Sequence, residues 1–78
     1  MKLTACNLIS FVESFADATS VQQQNDAIRA ALVGVPPFGC LIAENAPFDI
    51  HPHHLTADGR AYSLRRESSK RTVIFRTK

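Results

Sequence analysis

The chain has 78 residues and a mass of 8.6 kDa, with 45% hydrophobic residues, 21% charged residues and a formal net charge of +2. A chain of this length buries only about 60% of its unfolded surface, so we expect one small core and a single domain over residues 1–78. The ordinary balance of apolar and charged residues excludes a collagen-like chain, a coiled coil, a disulfide scaffold and a multidomain enzyme.

The small net charge hides a strong asymmetry along the chain. Residues 1–58 contain two cationic and six acidic side chains, a net charge of −4, whereas residues 59–78 contain seven cationic and one acidic side chain, a net charge of +6. Such an asymmetry bears on partners and association rather than on the fold. We therefore expect the C-terminal quarter to contact a partner; the alternative is a solvated face that only keeps the protein soluble.

The two cysteines bear on the cellular compartment. Cys6 and Cys40 lie far apart in the sequence, within apolar stretches where cysteines are usually free and buried. A lipoprotein-like cleavage box at residues 3–6 follows only two residues, too few for the apolar region of a signal peptide. No apolar run approaches the roughly 18 residues of a membrane span. We expect a soluble, cytoplasmic protein with both thiols reduced and no membrane contact.

A first helix is predicted over residues 5–18. Apolar residues recur there at helical spacing, from Leu8 through Val12 to Phe15, and polar residues occupy the opposite side. An extended conformation for residues 2–9 remains an alternative.

A second helix is predicted from about residue 21 to residue 33. Ser20 and Gln23 have the spacing of a capping box at its start. Gly34 and the two prolines that follow end it, because proline cannot continue a helix. The run of glutamines near its start predicts first turns that are mostly in contact with water.

After the two prolines the hydrophobic pattern becomes typical of strands. Residues 40–43 form a short apolar run that predicts a buried strand. Asp58-Gly59 is a dipeptide typical of hairpin turns. Residues 60–66 and 71–77 are predicted to form two strands joined at Ser68-Ser69. The predicted fold is therefore α+β, with two N-terminal helices packed on a small, mostly antiparallel sheet of three to four strands.

The register of the last two strands is predicted from a turn in which Glu67 faces Lys70. This register puts a block that includes Tyr62 and Phe75 on the face that packs beneath the helices. The arginines then lie on the other face beside an exposed Ile74, and a slip of one residue would mix the two faces. The predicted core consists of Leu8, Val12, Phe15, Ile28, Leu32, Leu41, Ile42, Leu64, Val73 and Phe75.

One cluster contains residue types that bind metal ions. His51, His53 and His54 follow one another closely, and in an extended segment His51 and His53 would point the same way. A zinc site needs a third and often a fourth ligand, and no spacing in this segment is diagnostic of one. We therefore predict no metal site and no cofactor, with the three histidines as the candidate ligands if a metal is bound.

No pattern in the sequence is typical of an enzyme. The cysteines lie in apolar stretches that favour inert burial, and the closest pair of carboxylates is Glu13 and Asp17. The three glycines are isolated from one another, so the sequence contains no phosphate-binding loop. We predict that the protein is not an enzyme.

A chain of 78 residues that is helical first, ends in a basic hairpin and lacks catalytic residues resembles the small anti-CRISPR inhibitors of phages and mobile elements. These inhibitors share no motif and no fold, so the resemblance assigns no functional residue. It implies a stoichiometric inhibitor that binds a subunit of a CRISPR effector complex. Many such inhibitors are acidic DNA mimics, and the basic hairpin departs from that pattern.

The predicted contact surface is the basic face of the hairpin. Arginines around an apolar side chain are typical of protein-docking patches, so a protein partner is the first hypothesis. Nucleic-acid binding is the alternative, because the same cations could follow a phosphate backbone. A monomer is expected, since the strand over residues 71–77 is too charged to pair with a copy of itself. The next candidate surface is the acidic side with Glu13, Asp17 and Asp26. The predicted contact residues are Arg60, Arg65, Arg66, Lys70, Arg71, Ile74 and Arg76.

Overall fold

The structure is a computed structural model that describes residues 10–55 and 61–77. Its elements in chain order are β1 (Ser10–Ser14), α1 (Val21–Val33), β2 (Cys40–Glu44), a short 3-10 turn (Pro52–His54), β3 (Tyr62–Ser68) and β4 (Arg71–Arg76). The α+β class is confirmed. The predicted hairpin turn at Asp58-Gly59 lies outside the described residues.

The four strands form one mixed sheet in the order β1-β2-β4-β3. β1 and β2 are parallel, and the other two neighbouring pairs are antiparallel. Parallel neighbours cannot be joined by a tight turn, and α1 forms the crossover between them. Among the strands of the described residues, β1 and β3 therefore lie at the two edges, while β4 lies in the interior.

The predicted first helix, residues 5–18, is wrong for all of its residues that the structure describes. Residues 10–14 form β1, and residues 5–9 lie outside the described part of the chain. Phe11 and Val12 favour strands, and here a parallel neighbour satisfies the backbone, which outweighs the helical spacing of the apolar residues. Val12 is 57% exposed and so is not a core residue, whereas Phe15, whose N–H donates to the Glu44 carbonyl at 2.9 Å, is buried as predicted.

The second helix is confirmed at both ends. The Ser20 hydroxyl accepts from the Gln23 N–H at 3.1 Å, and the Gln23 side-chain oxygen accepts from the Thr19 N–H at 2.5 Å. Gly34 caps the C-terminus. No helix in the described residues is long and apolar enough to cross a membrane.

The first turns of α1 are less hydrated than the sequence suggested. The Gln24 side chain is fully buried, and its amide forms two hydrogen bonds with one residue of the loop after β2. Gln24 Nε2 donates to the Phe48 carbonyl at 2.8 Å, and Gln24 Oε1 accepts from the Phe48 N–H at 3.0 Å. A glutamine amide has both a donor and an acceptor, so it can pair with the N–H and the carbonyl of one residue as a neighbouring strand does. The Gln24 side chain thereby holds the loop against the helix.

The core lies between α1 and one face of the sheet, which we call the helix face. Leu41 and Ala43 of β2 and Ile74 of β4 point into it and are at most 1% exposed. Ile28 and Leu32 of α1 cover them. The rest of the buried cluster is Phe15, Val35 and Leu55, with Leu64 and Tyr62 partly buried against it.

The other side of the sheet, which we call the opposite face, carries Cys40, Ile42, Val73 and Phe75. Cys40 and Val73 are buried, while Ile42 and Phe75 are half-buried. Of the predicted core residues, Ile42, Val73 and Phe75 therefore lie away from the helix, because neighbouring residues along β2 and β4 point to alternate faces.

The predicted register of the hairpin is wrong by one residue. Leu64 pairs with Ile74 and Arg66 with Thr72, and a bulge at Glu67 shifts the pairing before Ser68 meets Arg71. The predicted register would have put Arg66 directly beside Arg71, and the bulge removes this like-charge pair. Because β4 is buried on both faces, its alternation of residues could not select a register.

Cys40, the first residue of β2, is fully buried and disulfide-bonded. The prediction that both thiols are reduced is therefore wrong. Cys6, the one other cysteine of the sequence, lies outside the described residues. An apolar sequence context indicates burial of the sulfur, but it is the same for a buried thiol and a buried disulfide.

Candidate interaction surfaces

The predicted contact residues of the hairpin do not share one face. Arg65 and Arg71 lie on the opposite face, whereas Arg66 and Arg76 lie on the helix face. Lys70 occupies the turn, where its N–H donates to the Ser68 hydroxyl at 3.2 Å. Arg60 and the basic residue Lys78 lie outside the described residues. Because the arginines of β3 and β4 point to both faces, the single basic face expected from the sequence is split across the sheet.

Three of these arginines form ion pairs within the chain. Arg66 pairs with Asp49 at 3.0 Å, and Arg71 pairs with Glu44 at 2.6 Å. Arg65 pairs with Glu67 at 2.9 Å. Asp49 and Glu44 belong to the acidic part of the sequence, so folding brings part of the −4 segment against the +6 segment.

These ion pairs reduce the cationic potential of the hairpin without adding much stability. Arg66 and Asp49 are 61% and 72% exposed, and exposed pairs contribute about 0–1 kcal/mol. A partner carboxylate or phosphate could displace such a pair at small cost. The field that the hairpin presents is nonetheless weaker than its sequence implies, because carboxylates lie beside the arginines.

Ile74 is not exposed. Its side chain is fully buried between Leu41 of β2 and Leu64 of β3, its register partners. The prediction that Ile74 is an apolar anchor on the basic surface is therefore wrong. The one-residue error in register explains it, since a shift of one residue moves a side chain to the other face.

The histidine segment is not extended as assumed. His51 precedes the 3-10 turn, and its ring lies 5.6 Å from that of His53, centroid to centroid, at a tilt of 31°. The side chain of His54 falls outside the described part. Within residues 10–55 and 61–77, no group of three or more His, Cys, Asp or Glu side chains is arranged to hold a metal ion. That the protein needs no metal stays a prediction.

The acidic residues of the next candidate surface lie on different elements. Glu13 is on β1, Asp17 lies in the connection to α1, and Asp26 is on α1, where it pairs with Arg29. All three carboxylates are on exposed residues. The acidic side was expected to lie on two helices, but only Asp26 is on a helix, because residues 10–14 are a strand and Asp17 lies in a turn.

The turn between α1 and β2 carries a feature that the sequence did not indicate. The Gly39 N–H donates to the Pro36 carbonyl at 2.9 Å, which closes a four-residue turn with Pro37 and Phe38 at its centre. Phe38 has a φ of +66°. Proline at the second position and a positive φ at the third define a type II turn, whose third position favours glycine or asparagine.

Phe38 is exposed, yet its backbone is held firmly. Its side chain is 61% exposed, while its N–H donates to the Arg76 carbonyl at 2.7 Å. The Arg76 N–H in turn donates to the Gly39 carbonyl at 3.0 Å. A Cβ at Gly39 would lie only 3.1 Å from the Pro36 oxygen, so any other residue at that position would crowd the turn. The two prolines could indicate a turn, but no sequence signal assigns a positive φ to a phenylalanine.

The comparisons with known proteins add no relative. No protein-family model matches the chain, and neither a curated protein nor a solved structure matches it. The resemblance to small CRISPR inhibitors therefore stays a prediction from the sequence, and the case for function depends on the surfaces described above.

Proposed function

We propose that the chain is a non-catalytic domain that acts by binding another protein, with Phe38 as its first contact residue. The observation that carries the proposal is the conformation of this exposed aromatic residue. A bulky residue with positive φ is a genuine outlier, and the left-handed conformation costs an L-residue roughly 1–2 kcal/mol. Such strain is concentrated at functional sites, where the residue is retained in spite of its cost to stability.

The surroundings of Phe38 suit a contact residue. Hydrogen bonds to both sides of the turn fix its backbone, so little backbone entropy is lost when the ring is bound. Aromatic side chains dominate binding energy in protein interfaces. Val33, the last residue of α1 and five positions before Phe38 in the sequence, is 73% exposed and adds apolar surface.

The decisive variant is Phe38→Gly, because binding and stability should change in opposite directions. Glycine adopts positive φ without strain, so the free energy of unfolding should rise by about 1 kcal/mol. Capture of partners from a lysate of the source cells should fall at least tenfold. Phe38→Asn, which also tolerates positive φ, should behave in the same way.

The matched control is Val21→Ser, which removes an exposed apolar side chain at the N-terminus of α1, about 18 Å along the helix from Val33. It should keep the captured partners. If Phe38→Gly keeps them too, Phe38 is not a contact residue. If Phe38→Gly lowers the free energy of unfolding, the ring supports the fold, and the argument from strain fails.

The identity of the partner is a finer proposal. A subunit of a CRISPR effector is the candidate that the sequence resemblance implies, and inhibition of target cleavage by the purified protein tests it. The disulfide at Cys40 weighs against the predicted cytoplasmic location, since thiols are kept reduced there. A partner in an oxidising compartment fits the disulfide better.

Nucleic-acid binding by the hairpin is the less favoured alternative, because carboxylates pair with Arg65, Arg66 and Arg71. Binding to a phosphate backbone would weaken steeply with salt and would be insensitive to Phe38→Gly. Titration of labelled duplex DNA and single-stranded RNA at two salt concentrations distinguishes this function from protein binding.

A further inference from the structure

The two edges of the sheet differ in their protection. β3 has a bulge at Glu67 and carries Arg65, Arg66 and Glu67 in succession. All five residues of β1 are exposed, including Phe11 at 43% and Val12 at 57%, and its one charge is Glu13. Bulges and charges are the devices by which proteins block pairing at an edge, and β1 has almost none of them.

We propose that β1 pairs antiparallel with β1 of a second copy of this chain, which joins two four-stranded sheets across a two-fold axis. No strand among the described residues pairs with the outer side of β1. The monomer expected from the sequence rested on the charges of residues 71–77, but these belong to β4, which lies between β2 and β3. Of the two edges formed by the described strands, β1 carries fewer charges than β3.

Within the described residues of β1, one register fits this pairing best. In a continuous sheet, residues directly opposite each other share a face. In a two-fold pairing of β1, one residue must therefore face its own copy at the axis, and this residue is Phe11, Val12 or Glu13. Among these axes, only the one through Val12 pairs all five described residues of β1 with one another. It sets Val12 against its own copy and Phe11 against Glu13, whereas an axis through Glu13 would bring two carboxylates together.

This association closes on itself as a dimer. A two-fold interface uses the same surface on both copies, and the other edge of each sheet is the protected β3. An interface of one short strand per copy is smaller than the standard 1,200–2,000 Å², so the dissociation constant should lie between about 1 µM and 1 mM. The dimer does not depend on the proposed role of Phe38, which lies in a turn outside β1.

The test is sedimentation equilibrium of the parent protein and of two variants, Val12→Lys and Val12→Glu. Val12 is more than half exposed, so both variants should fold, which melting curves verify. Each variant alone would place like charges opposite each other, and its dissociation constant should rise at least tenfold. An equimolar mixture should dimerise again, because lysine from one copy then faces glutamate from the other.

The matched control is Ser63→Lys, an exposed position on β3 that lies on the same face of the sheet as Val12. It should dimerise like the parent. A parent that stays monomeric at 1 mM overturns the proposal, and so does a Ser63→Lys variant that loses the dimer. If Val12→Lys dimerises as the parent does, β1 is not the interface, and if the mixture stays monomeric, the register is wrong.

Discussion

The two faces of the sheet are buried by different means. On the helix face, Leu41 and Ile74 are covered by apolar residues of α1 and are fully buried. On the opposite face, Phe75 is half-buried, and the Arg65 guanidinium lies over its ring, 5.4 Å from the centroid. Cys40 on that face is fully buried and disulfide-bonded. One face thus has the character of an ordinary core, while the other combines apolar residues with a covalent link and an arginine.

This difference teaches which part of the fold depends on packing alone. Burial of apolar side chains contributes about 25 cal/mol per Å², so the helix face supplies most of the hydrophobic stabilisation of the fold. The opposite face depends more on specific pairs, each of which can be removed separately. Substitutions on the two faces should therefore differ in size and in their response to reductant and salt.

The largest effect is expected for Ile74→Ala on the helix face. This substitution leaves a cavity in the centre of the core and should lower the free energy of unfolding by about 2–5 kcal/mol. The control is Val33→Ala, at a position that is 73% exposed, which should change it by at most about 0.5 kcal/mol. Denaturant unfolding measures both. Equal effects would mean that Ile74 is not in the core.

A smaller effect is expected from the disulfide on the opposite face. A native disulfide typically stabilises a small domain by about 2–4 kcal/mol, so Cys40→Ser or reduction with dithiothreitol should lower the melting temperature clearly. Thiol titration of the denatured, unreduced protein should find no thiol. If reductant leaves the melting temperature unchanged, or if titration finds two thiols, the opposite face is not held by a covalent link.

The local parts of the fold could be predicted from the sequence. The start of α1 depends on Ser20 and Gln23, which interact within one turn, and β2 depends on a short apolar run between a glycine and a polar segment. Both signals are contained in a few neighbouring residues. The end of α1 at Gly34 is a signal of the same kind.

The parts that failed depend on partners distant in sequence. β1 is a strand because β2, some thirty residues later, pairs with it; without that neighbour, the strand preference of Phe11 and Val12 does not outweigh the helical spacing of the apolar residues. The burial of Gln24 depends on Phe48, and the register of the hairpin depends on a bulge at Glu67. The candidate site was also missed, because the hydrogen bond between the Phe38 N–H and the Arg76 carbonyl joins residues far apart in the sequence and no local pattern assigns a positive φ to a phenylalanine.

The smallest effect in this comparison concerns Arg65 on the opposite face. Arg65→Met keeps most of the aliphatic contact with Phe75 but removes the cation above the ring and the pair with Glu67. A cation over an aromatic ring contributes about 0.5–1 kcal/mol at exposed sites, and the free energy of unfolding should fall by that amount. Arg66→Met on the helix face removes only the exposed pair with Asp49 and should cost less than about 0.5 kcal/mol.

A double-mutant cycle separates the aromatic contact from the ion pair. Arg65→Met and Phe75→Leu, alone and together, should show a coupling free energy of about 0.5–1 kcal/mol, because the cation and the ring act only as a pair. Arg66→Met with Phe75→Leu should be additive, since the Arg66 side chain is on the other face of the sheet. In 1 M salt the cost of Arg66→Met should disappear, because exposed charges are screened over about 3 Å, while the coupling of Arg65 to Phe75 should persist. An additive result for Arg65 and Phe75 would mean that the arginine only lies above the ring without stabilising the opposite face, which would then depend on its disulfide and apolar residues alone.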